Sequence, residues 1–207
     1  MLLPIYTIVN KPISSNCHIV CGSNDECIII DPGSEDIVVY EQYLNDNHIV
    51  PIYIILTHEH FDHIWGVNKL RENYPGIRLI CSEVCSERIQ YKKKNYSLFF
   101  NGVGFEIGKA DITLTEPISS MVWNNCDIRF IITQGHSEGS ICIYFSELNV
   151  LFTGDTIIYG EKTVTKLKGG DINQLNQTLE LLKRLFSARN PLLLTGHGES
   201  FYFNHIL

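Results

Sequence analysis

The stretch Thr57-His58-Glu59-His60-Phe61-Asp62-His63 follows directly on Ile52-Tyr53-Ile54-Ile55-Leu56. The apolar run reads as a short buried strand. In the stretch that follows, five of the seven residues can bind a metal through nitrogen or oxygen. A polar turn that happens to be rich in His is the plain alternative, and it would account for one or two of them. Three His and an Asp within six positions is a density that is costly to carry without a metal, and imidazole suits borderline metals. Donors placed straight after a buried strand form a site carried on a rigid element.

The same syntax recurs at three later strand ends. The apolar run 128–133 leads to Gly135-His136-Ser137, 150–153 to Gly154-Asp155-Thr156, and 192–195 to Gly196-His197-Gly198. Each donor lies beside glycine, where the backbone can turn tightly and approach a site closely. His58, His60, His63, His136 and His197 offer five imidazoles, and Asp62 and Asp155 two carboxylates. Seven ligands exceed the four of a structural zinc site. They suit two metals that share one carboxylate, with water in the open positions. Such a pair, about 3.5–4 Å apart, can stabilise both attacking and departing charge in a hydrolysis. Asp31 ends the run 27–30 and is read as a carboxylate that orients a metal-bound His; a simple Asp-Pro-Gly turn is its alternative. His18, His48 and His205 lack the syntax and read as ordinary core or surface residues.

The remaining pattern places these ends in a fold. Strands are expected at 5–9, 17–21, 27–30, 52–56, 78–81, 112–114, 128–133, 141–145, 150–153 and 192–195. Helices are expected from a Ser34 cap through 47, over 64–73, from a Ser82 cap to about 93, and over 172–188 behind Gly169-Gly170-Asp171. Residues 95–109 carry three glycines and fit no regular element, so they read as an inserted loop or lid that meets substrate. No linker divides the chain, so 1–207 is expected to be one domain. Strands alternating with helices in two similar halves predict an α/β fold of two packed sheets flanked by helices.

The totals exclude several classes. A formal charge of −7 gives no electrostatic footprint for nucleic acid, and Lys92-Lys93-Lys94 reads as a solvated face. No apolar run approaches a membrane span of about 20 residues. The apolar N-terminus lacks the basic segment and cleavage site of a signal peptide. Seven cysteines, an odd number, do not form a disulfide framework; they read as buried thiols of a reducing compartment, so a cytoplasmic protein is expected.

The stretch 57–63 fits the T-H-x-H-x-D-H motif of the metallo-β-lactamase superfamily, and Gly-His136, Gly-Asp155 and Gly-His197 follow in that family's order. The resemblance runs from Asp31-Pro32-Gly33 to Gly198. It implies an αββα four-layer sandwich. It puts His58, His60 and His136 on one metal and Asp62, His63 and His197 on a second, with Asp155 bridging. Two Zn(2+) ions are the implied cofactors, with Fe or Mn as alternatives. The implied reaction is attack by a metal-bridging hydroxide, with Asp62 and Asp155 as the catalytic carboxylates.

Within the superfamily the chain looks most like compact relatives of glyoxalase II, the hydroxyacylglutathione hydrolases. It departs from them at Glu138, where Pro is usual, and at Val164, near a usual Arg. Ten residues follow His197, so the helical domain that helps that branch hold glutathione is not expected. The implied function is hydrolysis of a small thioester or related ester. The alternatives are a persulfide dioxygenase-like enzyme with one iron on His58, His136 and Asp155, and a lactonase or phosphodiesterase of the same superfamily. β-Lactamases generally lack the bridging Asp. The expected partner is a small-molecule substrate. An acidic thioester would suit contact with Lys162, Lys166 and Lys168, although these lysines read first as solvated.

Overall fold

A computed structural model describes residues 3–205. The two ends of the expected 1–207 domain, and with them the first two residues of the apolar N-terminus, lie outside the described residues. Two six-stranded sheets carry the fold. The first holds β1 (Ile5–Val9), β2 (Asn16–Cys21), β3 (Glu26–Ile30), β4 (Val50–Ile55), β5 (Arg78–Ser82) and β6 (Ile112–Leu114) in that order. β1 to β3 are antiparallel, whereas β3 to β6 pair in parallel. The second sheet runs β7 (Ile118–Trp123), β8 (Cys126–Ile132), β9 (Ile141–Phe145), β10 (Val150–Gly154), β11 (Leu192–Thr195), β12 (Phe201–Tyr202). Its one parallel pair is β10 with β11, and the connection between them is α6 (Ile172–Phe186).

Strand alternation assigns the layers. In β3 and β4, Cys27, Ile29 and Ile54 join the core beneath the helices α1 (Val38–Asp46), α3 (Val67–Asn73) and α4 (Glu83–Arg88). Ile28, Ile30 and Ile55, one residue along in each case, join the core between the sheets, where they meet Ile128, Phe130, Ile143 and Phe152. Both faces of these strands are therefore buried, which is why they read as continuous apolar runs. α6 closes the far side through Leu182 and Phe186 on Tyr144, Leu151 and Leu193. The expected αββα sandwich is the observed one.

Several local expectations are corrected; among them, no strand was expected at β7 and α6 ends at Phe186 rather than 188. Helix 64–73 is split into α2 (Phe61–Ile64) and α3, because Gly66 lies against the Pro32 and Ser34 carbonyls, and a Cβ there would come within 3.0 Å of both. Ser34 caps no helix; its hydroxyl accepts from Lys11 N at 2.8 Å, and α1 starts later, at Val38. The helix capped by Ser82 ends at Arg88 rather than near 93, since the Ile89 carbonyl is taken by Ile107 N (3.0 Å) and the Asn95 amide (3.2 Å). Within 95–109, α5 (Ser97–Asn101) forms a short helix.

Candidate metal centre

The predicted donors all sit at the ends of strands. After β4 the chain runs to His60, itself extended (φ −67°, ψ 142°), and then turns into α2, so His58 and His60 precede that turn and Asp62 and His63 follow it. The loops after β8, β10 and β11 supply His136, Asp155 and His197. Two glycines allow the loops to converge. A Cβ on Gly196 would lie 2.2 Å from Asp155 Oδ1, and one on Gly154, which has φ +48°, 2.4 Å from Thr57 Oγ1.

The seven predicted ligands come together in two groups. Ring nitrogens of His58, His60 and His136 lie within 4.8 Å of one another, and so do donor atoms of Asp62, His63 and His197. Asp155 stands between the groups. Its Oδ1 is 3.5 Å from His63 Nε2, and its Oδ2 is 3.6 Å from both His136 Nε2 and His197 Nε2.

Outer hydrogen bonds fix which nitrogen faces inward in His58, His63, His136 and His197. His136 Nδ1 donates to the Val164 carbonyl (2.9 Å) and His197 Nδ1 to the Ser14 carbonyl (3.1 Å). A carbonyl can only accept, so these rings carry their proton outside and present a bare Nε2 lone pair to the centre. Asp31 accepts from His63 Nδ1 at 3.0 Å, as expected of an orienting carboxylate. It also accepts Thr57 N (2.8 Å) and Thr57 Oγ1 (2.5 Å). The Thr57 hydroxyl has thus spent its proton on Asp31 and accepts from His58 Nδ1 at 3.0 Å.

These residues fit a metal. His58 Nε2, His63 Nε2 and Asp155 Oδ1 are buried and lack any hydrogen-bond partner. Orphaned polar atoms are costly, and buried donors left without partners at this centre are explained by bound cations. The electrostatics divide the rings. Burial first, and then the neighbouring rings, hold His58 well below the usual imidazole range. Burial and His136 hold His60 well below it too. Burial lowers His136 as well, against the pull of Asp155. Neutral imidazole is the ligand form. Burial also disfavours charge on His63, but the carboxylates of Asp155, Asp62 and Asp31 outweigh it and push the ring up to about 10. Asp62 is held well below the usual carboxylate range: burial opposes this, and His63 and His197 overcome it.

Sequence reasoning missed the frame behind the first group. Glu59 is fully buried, with Arg88 Nε 2.6 Å from its Oε1 and Ser137 Oγ donating to its Oε2 at 2.9 Å. Arg88 also reaches Glu138 Oε2 at 2.6 Å and the Lys168 carbonyl at 2.9 Å. One guanidinium therefore ties the loop carrying His58 and His60 to the loop carrying His136 and to the approach to α6. Tyr96 donates to the same Lys168 carbonyl (2.7 Å) and sets its ring 5.1 Å from that of His60. Lys162 and Lys166 line a cavity of about 630 Å³ between α6 and the 156–166 segment, whose Val164 carbonyl holds His136. His18 is buried beneath the end of β11, within 3.3 Å of the Thr195 carbonyl.

The family model for the metallo-beta-lactamase superfamily matches residues 10–197. The chain is 29% identical to "Probable metallo-hydrolase YqgX" of Bacillus subtilis, over 90% of this chain and 86% of that protein. It is 33% identical to "Probable metallo-hydrolase MJ0888" of Methanocaldococcus jannaschii, over 90% and 88%. A hydroxyacylglutathione hydrolase of Prochlorococcus marinus is 28% identical over 82% of this chain and 59% of its own. Among solved structures, BLEG-1 B3 metallo-beta-lactamase superposes with a TM-score of 0.86 at 27% identity, over 97% of this chain and 95% of that one.

Proposed function

This chain belongs to the metallo-beta-lactamase superfamily, and on that premise we propose that it is a binuclear zinc hydrolase of small thioesters or related esters, of the compact glyoxalase II-like branch. The observation that carries the reading is Asp155, within 3.6 Å of His63, His136 and His197 and so in reach of both donor groups. His58, His60 and His136 would hold one ion, Asp62, His63 and His197 the other, and Asp155 both. Two such ions supply a hydrolytic nucleophile at neutral pH and polarise the scissile carbonyl.

The chain's own groups do the positioning. Asp31 and the Val164 and Ser14 carbonyls keep the imidazole protons outside, so the inward nitrogens stay available. Asp62, ionised beside His63 and His197, can accept a hydrogen bond from an attacking water and so orient it. The resemblance to a hydroxyacylglutathione hydrolase supports the thioester class. Lys162, Lys166 and Lys168 are exposed and would suit an acidic carrier thiol.

A second reading, β-lactam hydrolysis, is favoured by the 27% identity to BLEG-1 B3 metallo-beta-lactamase. The test is a panel on metal-quantified protein: short acyl thioesters, glutathione-linked thioesters and a chromogenic cephalosporin. Thioester turnover that chelation abolishes and zinc restores is expected. Cephalosporin turnover without thioester turnover would select the second reading. One iron per chain with dioxygen consumption on a persulfide would replace both.

A further inference from the structure

An apolar surface that the hydrolytic reading leaves unused stands beside the centre. α5 carries Phe99 and Phe100, with Tyr96 before it and Val103 after it. Phe99 is 70% exposed, Val103 71% and Phe100 42%. Single exposed apolar residues are ordinary, whereas a contiguous group beside a site marks a surface that something covers. The group is continuous with the predicted ligands. Phe61, between His60 and Asp62, stacks on Phe100 at 4.6 Å and 26°. The Tyr96 ring stands edge-on to His60 at 5.1 Å, and Phe99 follows Tyr96 at 6.1 Å.

The surface is braced from below. Trp65 stacks on Phe105 at 5.4 Å and meets Phe100 at 5.5 Å. The buried Asn95 amide donates to the Phe105 carbonyl at 2.9 Å. Tyr96 adopts a left-handed backbone (φ 65°), a strained state for a tyrosine, and in it the ring reaches His60 while the hydroxyl holds Lys168.

We propose that Tyr96, Phe61, Phe99 and Phe100 form a platform that seats an apolar acyl group of several carbons, placing its carbonyl beside His60 and Asp62. This rests on the hydrolase reading and narrows it: an apolar acyl thioester is preferred over acetyl or a polar acyl group. An open platform buries each methylene on one side, so the preference is about twofold per methylene, or about sixtyfold from acetyl to octanoyl.

Two measurements on the metal-loaded full chain test it together: kcat/KM on acetyl to octanoyl thioesters, and titration with acetate to octanoate followed by Trp65 emission. Phe99→Ser, at an exposed position, is compared with Phe99→Leu. The octanoyl-to-acetyl ratio should fall at least fivefold in F99S and recover in F99L, and the octanoate-to-acetate binding ratio should follow. Turnover without chain-length preference overturns the platform and leaves the hydrolase. If no thioester is turned over, the hydrolase reading fails, and the carboxylate titration still decides the platform. Self-association that F99S abolishes, with a flat chain-length profile, assigns the surface to a second copy and also overturns it.

Discussion

Arg88→Met removes the cation that faces a fully buried carboxylate. Glu59 has no solvent exposure, and Arg88 Nε at 2.6 Å is its charged partner. The Ser137 hydroxyl at 2.9 Å remains, but it cannot neutralise the charge. Breaking a buried pair in this way costs about 3–5 kcal/mol. The lost contact with Glu138, which is half exposed, adds little. For a chain of this size that corresponds to about 6–20 °C in Tm.

The sign of the pH dependence is fixed. Burial raises the Glu59 pKa and Arg88 lowers it, so without Arg88 the folded state holds the Glu59 proton to a higher pH than the unfolded chain does. Stability of the variant is therefore fully present below the ordinary glutamate range and is lost as pH rises through the raised folded value. The deficit against wild type should be larger at pH 8 than at pH 5. Adding Glu59→Gln should restore more than half of it, because the amide still accepts from Ser137 and carries no charge. Urea denaturation of chelator-treated protein at both pH values measures all of this. A deficit below about 1 kcal/mol at pH 8, an equal deficit at pH 5, or no recovery in the double variant would refute the buried-pair argument.

Other perturbations follow from the same contacts. Asp31→Asn exchanges the carboxylate that accepts from His63 Nδ1 and Thr57, and should weaken metal binding about 10–100-fold in competition with a chromogenic chelator; unchanged affinity would show that Asp31 serves only its turn. Asp155→Ala should abolish turnover while circular dichroism stays native, and near-normal activity at full metal content would remove its bridging role. His18→Gln should lessen acid lability. Burial lowers His18 from 6.5 to about 4, so its stabilisation is complete above pH 6.5 and about 3 kcal/mol is lost as pH falls towards 4. Parallel loss of stability in wild type and H18Q between pH 7 and 4.5 would contradict this.

The candidate donors were legible because each follows an apolar run and, beyond residue 63, a glycine; that pattern is local. The four-layer fold was legible for the same reason: fully buried strands read as apolar runs, and Leu175 and Leu182 mark the buried face of α6. What escaped depends on long-range pairing. Arg88 on a short helix reads as a solvated charge until the fold sets it on Glu59 and Glu138. The Val164 and Ser14 carbonyls that orient His136 and His197 carry no side-chain signature. β7, an edge strand of mixed exposure, was not expected at all; it joins β8 through Asn124-Asn125, whose φ values of 50° and 59° suit a two-residue hairpin.

Seven side chains that hold two metals through one shared carboxylate require two ions per chain. Metal content after zinc loading and desalting, measured by mass spectrometry on wild type and His197→Ala side by side, tests this most directly. Two ions per chain are expected in wild type and about one in H197A, with His58, His60 and His136 retaining theirs. One ion per chain in both proteins would contradict this.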